Sequence, residues 1–482
     1  MRRRAAAGIS LAAALLAAAG CNSSNVITYP APRGAGSGKI AHVVIMVQEN
    51  RSFDNIFAGF PGANTVMEGP CKPASWASWC KGSHIVTLHS VTLEHGVGLN
   101  KGTDIDHSHN AGLKTAKPRG GWVMECDANA SNVCQMDGFD LIRFGEEGGG
   151  YFAKLFPYAY VDRSESKPYW DLAKQYTLAD AMFFDETASS FIAHQMLISG
   201  TVEIKKGEWV TDQPRTTPWG CDSVPGSTAP ILHANGETYG RVKPCFKWPT
   251  IADLLDSKHV SWLDYVDVNP NPYGDFSGGV WDGFRAIKKI FHGPDWKTNI
   301  SSPNTNIFTD IKSGKLPSVS WVIPTLYDSD HPASGCNGGP WWVTKVVNAI
   351  GTSQYWKNTA IILIWDDWDG WYDNAPPTIV NPSTLGFRVP MIVISPYAKP
   401  NNVAHTQYDF GSILKYVEET FNLGSLGTND ASANSMQDVF NYSQTPNEFT
   451  AAPLPKAMGC KDKITNGKGV QQLIDHDGGV PE

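Results

Sequence analysis

The 482-residue chain predicts an α/β protein on a doubly wound, mostly parallel sheet. Short apolar runs at Ile40–Val47, Val319–Ile323, Ala360–Trp365 and Val389–Ile394 end in polar or turn-forming residues, as strands buried on both faces do. Between them lie helical periods: Trp342, Val343, Val346, Val347 and Ile350 within Trp341–Ile350, then Ile413, Leu414, Val417 and Phe421 within Gly411–Asn422. The run Ala360–Ile364 leads into Trp365-Asp366-Asp367, and ligands of open α/β sheets gather beyond the carboxyl ends of strands.

The chain opens on a targeting segment, residues 1–20. Arg2-Arg3-Arg4 precedes the apolar stretch Ile9–Ala19, which is shorter than the ~20 residues of a membrane span. Ala18-Ala19-Gly20-Cys21 resembles a lipoprotein processing site, so acylated Cys21 is an expected membrane anchor, with ordinary signal cleavage as the alternative. Either way the protein is expected to be exported, and to stay in the cell envelope or be released. Residues 21–39, with Pro30, Pro32, Gly34, Gly36 and Gly38, read as a tether. The main folded domain is expected over 40–445 and a tail packed on it over 446–482.

Besides Cys21 there are eight cysteines, and an even number in an exported chain suits disulfides. Eight allow roughly a hundred connectivities. Proximity favours Cys71–Cys80, Cys126–Cys134 and Cys221–Cys245, leaving Cys336 with Cys460. Six of the eight fall in two Gly- and Pro-rich intervals, 62–135 and 203–250, expected to be stapled insertions forming a lid over the strand ends. Losing the three leader arginines takes the net charge from −8 to −11, and no basic run follows, which argues against a nucleic-acid partner.

The first strand runs into Glu49-Asn50. A carboxylate and an amide carbonyl there could join Asp366 and Asp367 around one hard divalent cation. Either pair alone is equally a turn or a helix cap. Glu49-Asn50-Arg51-Ser52-Phe53-Asp54 resembles the signature of the bacterial phosphoesterase family, which holds phospholipases C and acid phosphatase A within the alkaline phosphatase superfamily. Further blocks match in order: Asp104-Ile105-Asp106-His107-Ser108-His109, Met136-Asp137-Gly138-Phe139, Tyr176-Thr177-Leu178-Ala179-Asp180, Ser329-Asp330-His331-Pro332, Trp365-Asp366-Asp367, Gly386-Phe387-Arg388-Val389-Pro390 and His405-Thr406-Gln407-Tyr408.

The resemblance implies an alkaline phosphatase-like fold and a divalent metal held by Glu49, Asn50, Asp366, Asp367 and the nucleophile. That nucleophile is expected at Ser190, after the approach strand Tyr176–Phe184 and at the start of a helix, where N–H groups favour phosphate oxygens. His194 falls on the same helical face. His107 and His331 match family histidines that contact phosphate or protonate the leaving oxygen; His405 and His109 are weaker candidates. The family's Gly-Pro before the nucleophile and Pro two residues after it are replaced by Ala188, Ser189 and Ile192, so Ser189 competes for the role. Asp373-Asn374 stands where Asp-His is common in that family.

The expected function is metal-dependent hydrolysis of a phosphate ester through a serine, acid phosphatase-like. The alternatives are a phospholipase C acting on diester lipids and a non-catalytic lipoprotein that binds phosphorylated ligands. The length suits a catalytic domain without a long C-terminal extension, which favours the acid phosphatase reading.

Overall fold

The computed structural model describes residues 38–73, 78–93, 104–112, 135–145, 151–268, 277–334, 337–378 and 385–455. The leader, most of the tether, Cys21 and the proposed Cys126–Cys134 and Cys336–Cys460 pairs lie outside them.

Eight strands form the central sheet: β1 (His42–Gln48), β2 (Thr177–Ala179), β3 (Trp262–Tyr265), β4 (Ile300–Ser301), β5 (Val319–Val322), β6 (Thr359–Trp365), β7 (Met391–Ile394) and β8 (Asn402–Ala404), in the order β4-β3-β5-β1-β6-β7-β2-β8. Most neighbours are parallel, and β1 and β6 are buried along nearly their whole length because both sheet faces are covered. The exception is β7, which runs antiparallel to both β6 and β2. An apolar run reads the same in either direction, so the periodicity of Val389–Ile394 could not reveal this.

Register places the chemistry. Gln48 lies opposite Trp365, so Glu49-Asn50 and Asp366-Asp367 leave the sheet at one level, and the Asp366 N–H donates to the Gln48 carbonyl at 3.0 Å. Asn50 takes a left-handed conformation, φ 58°, which turns the chain sharply just beyond β1.

Helices α1 (Arg163–Gln175), α2 (Ser190–Ser199), α3 (Gly339–Gly351) and α4 (Phe410–Phe421) cover the sheet. Both periodic segments are helical, as α3 and α4. Every residue of α2 is buried, so it carries no polar stripe and offers periodicity nothing to detect. It ends at Gly200, φ 59°, where an added Cβ would meet Thr428 Oγ1 at 2.6 Å and Leu414 of α4 at 3.1 Å.

Both intervals expected as insertions carry a disulfide, Cys71–Cys80 and Cys221–Cys245. The second holds a four-stranded antiparallel sheet of Glu203–Lys205, Glu208–Val210, Ala229–His233 and Thr238–Val242, structure that its weak periodicity concealed. In the tail, Phe449 packs on Trp356, whose indole donates to the Asn447 carbonyl at 2.8 Å. No described helix is long and apolar enough to cross a membrane.

Candidate active site

The turn after β1 divides in function. Glu49 and Asn50 face the cluster described below. Arg51 is spent on structure: it donates to the Asp330 carbonyl at 2.8 Å, to Asn55 Oδ1 at 3.2 Å and to the Leu93 carbonyl at 3.1 Å. Ser52 caps the short helix Phe53–Phe57. Asp54 and Asp373 enclose Arg388, which also lies over the Phe53 ring and donates to Asn374 Oδ1 at 2.8 Å. Asn374 therefore braces a buried ion-pair network in this chain.

Around Asn50 the predicted residues converge. Its backbone N–H donates to Asp366 Oδ1 at 2.9 Å. Its Nδ2 lies 3.3 Å from Ser190 Oγ, 3.3 Å from His107 Nε2 and 3.4 Å from Asp367 Oδ2. Ser190 Oγ donates to Asp367 Oδ2 at 3.0 Å, while Asp367 Oδ1 is held by the Asp369 N–H at 2.9 Å. Ser190 is the first residue of α2, whereas Ser189 is its N-cap and turns its hydroxyl to Gln213 Oε1. One turn on, His194 Nε2 lies 3.0 Å from Glu49 Oε1 and 3.8 Å from Asp366 Oδ2.

His107 is aligned from behind: Nδ1 lies 2.8 Å from the Ile105 carbonyl and 3.3 Å from Asp369 Oδ1. With Nδ1 protonated toward that carbonyl, Nε2 accepts from the Asn50 amide at 3.3 Å and lies 3.8 Å from Asp367 Oδ2. His331 is placed differently. It stacks on Trp281, and its backbone N–H donates to Ser329 Oγ. His405 is exposed and held by Asp180 at 2.9 Å, and His109 Nδ1 contacts the Thr187 carbonyl at 2.8 Å.

The electrostatics are lopsided. Burial, then the neighbouring Asp366, pushes the Asp367 carboxyl well above its usual range; burial, then Asp104, does the same to Asp369. Burial lowers His194 to about 4 against the pull of Asp366, so near neutrality it is uncharged. Asp366 Oδ2 is buried without a hydrogen-bond donor. So many buried carboxylates repel a phosphate unless a cation stands between, and Glu49, Asn50, Asp366, Asp367 and Ser190 offer the oxygen donors a divalent ion takes. The residues fit such an ion.

Residue patterns did not place Asp369 in the cluster, and they set His194 on the face of Ser190 without giving it a role. The available signals were Asp369's position two residues beyond Asp367 and His194's helical offset from Ser190.

Residues 40–424 match the model of the Phosphoesterase family. The chain belongs to this family. Among curated proteins it is similar to a non-hemolytic phospholipase C of Burkholderia pseudomallei, 25% identical over 82% of this chain and 57% of that one. It is also similar to phospholipase C A of Mycobacterium tuberculosis, 23% identical over 89% of this chain and 84% of that one. The chain thus spans little more than half the length of the Burkholderia relative. Among solved structures, a protein in the alkaline phosphatase superfamily from Vibrio parahaemolyticus matches with TM-score 0.31 and 12% identity, over 65% of this chain and 82% of that one, a likeness too slight to build on.

Proposed function

We propose that this chain hydrolyses phosphate esters with Ser190 as nucleophile, in an acid phosphatase-like reaction on small monoesters. The observation that carries the reading is the Ser190 hydroxyl at the N-terminus of α2, donating to Asp367 at 3.0 Å beside Asn50. Ser190 Oγ gives its proton to Asp367 and attacks phosphorus in line, and the ester P–O bond breaks. The departing alkoxide takes a proton from His107 in its protonated form. Water, giving a proton to the now neutral His107, then attacks the phosphoserine; the P–Oγ bond breaks, Ser190 Oγ retakes its proton from Asp367, and phosphate leaves. The N-terminus of α2 favours the phosphoryl oxygens throughout. A divalent ion held by Glu49, Asn50, Asp366, Asp367 and Ser190 would lower the hydroxyl's pKa and offset phosphoryl charge.

The near-complete burial of Ser190, 4% exposed, supports a small ester over a lipid headgroup. The second reading, a phospholipase C acting on diesters, is favoured by the names of the two curated relatives. Initial rates on p-nitrophenyl phosphate, p-nitrophenyl phosphorylcholine and phosphatidylcholine vesicles separate the two. Preference for the first supports the proposal, and preference for either diester replaces it. No turnover on any of them, with tight phosphate binding, would favour a non-catalytic binder. As to location, lipid anchoring through Cys21 in the cell envelope is proposed from the leader, and globomycin-sensitive processing tests it.

A further inference from the structure

The proposed metal centre draws only oxygen donors from the strand ends and Ser190, yet an imidazole stands at its edge. His194 lies one turn along α2 from Ser190, and both side chains reach the same cluster from one helical face. Its Nε2 is 3.0 Å from Glu49 Oε1 and 3.8 Å from Asp366 Oδ2, and the ring is buried. A plain hydrogen bond to Glu49 accounts for the first distance alone. It leaves Asp366 Oδ2, fully buried, without a donor, and 3.8 Å is too long for His194 to supply one. One ion between the three accounts for both. Ligands about 2.1 Å from a cation lie ~3.0 Å apart across a right angle and ~3.4 Å apart in a tetrahedron, and wider angles separate them further. The Glu49, His194 and Asp366 ligand atoms, all within 4.8 Å of one another, meet that requirement.

Building on the metal-dependent reading above, we infer that His194 is a direct ligand and that the centre is a mixed nitrogen–oxygen site. Such a donor set selects a first-row transition ion over Mg²⁺ or Ca²⁺, which take oxygen ligands. The consequence belongs to α2: one helix supplies both the nucleophile and a ligand, so the serine is held in register with the ion by the helix itself.

The test is pulsed EPR on full-length chain stripped with chelator and reloaded with one equivalent of Cu²⁺, with metal content measured in parallel. The expected result is one tightly held ion carrying imidazole-nitrogen coupling, lost in His194→Gln and kept in His107→Gln. If His194→Gln fails to fold, the wild type and His107→Gln, each with and without ¹⁵N-histidine, decide the matter: coupling that shifts with the label in both supports the inference. A bound ion without imidazole coupling overturns it and leaves the metal reading standing, as does coupling that survives in His194→Gln or vanishes in His107→Gln. Failure to hold any ion overturns the metal reading, and this inference with it. Competition provides a second readout: Mn²⁺ or Zn²⁺ is expected to displace Mg²⁺ at equal concentration, and the reverse order contradicts a nitrogen ligand.

Discussion

Six consecutive residues show how closely chemistry and architecture are interleaved here. Glu49 and Asn50 turn into the cluster, while Arg51, Ser52, Phe53 and Asp54 anchor the turn that holds them. Substitutions should separate accordingly. Glu49→Ala and Asp366→Ala are expected to abolish turnover and metal retention with the fold intact, since each would remove a charged ligand of the proposed ion; circular dichroism and metal analysis check this, and full activity in either variant contradicts it. The two serines should differ sharply. Ser190→Ala should lose several orders of magnitude in kcat while still binding phosphate, and Ser189→Ala should keep most activity because its hydroxyl is engaged by Gln213. His107→Gln should cost about 10²- to 10⁴-fold in kcat on p-nitrophenyl phosphate, the range for a general acid; a loss under threefold would remove it from the reaction.

At the scale of elements, a carboxyl pair away from the cluster contributes to the pH response of stability. Asp264 on β3 and Asp282 before the turn Gly283–Ala286 are both buried, and burial, with the other carboxyl acting on Asp264, raises both; Asp282 reaches about 6. The folded state therefore holds protons that the unfolded chain releases. The contribution is fully present below the unfolded carboxyl pKa near 4 and is lost as pH rises through about 6 and beyond. Asp264→Asn, which keeps a donor between the two side chains, should raise the melting temperature at pH 7.5 and change it little at pH 4. Equal melting temperatures at pH 7.5 would show the pair is not charged there. The same scale shows what sequence could convey. β1, β5 and β6 were legible because an unbroken apolar run bounded by turn residues has few other uses. Strands of two to four residues such as β3, β4 and β8 are set by their neighbours and leave no period to read, and the direction of β7 is a matter of topology.

Across the whole molecule, residues from distant parts of the chain meet through the sheet's register. Glu49 and Asp366 come together because Gln48 pairs with Trp365, and α2 brings Ser190 to them from the far side of a long insertion. Ordered motifs marked Glu49, Asn50, His107, His331, Asp366 and Asp367, and position before a helix marked Ser190; the structure gathers Glu49, Asn50, His107, Asp366, Asp367 and Ser190 into one cluster. The involvement of Asp369 emerged only from side-chain geometry, whereas His194's helical offset had already set it on the face of Ser190. The Cys221–Cys245 bond staples the inserted antiparallel sheet, so replacing both cysteines with serine should cost about 2–4 kcal/mol of stability by denaturant unfolding, with little effect on metal retention.

The central claim is that Ser190 attacks phosphorus, and trapping the covalent intermediate tests it most directly. Metal-loaded chain mixed with p-nitrophenyl phosphate, quenched in acid within one turnover and digested, should yield a phosphoryl group on Ser190 by peptide mass spectrometry. A phosphoryl group on Ser189 would move the nucleophile by one residue. Rapid release of nitrophenol with no phosphopeptide at any quench time would contradict the account and assign the attack to water.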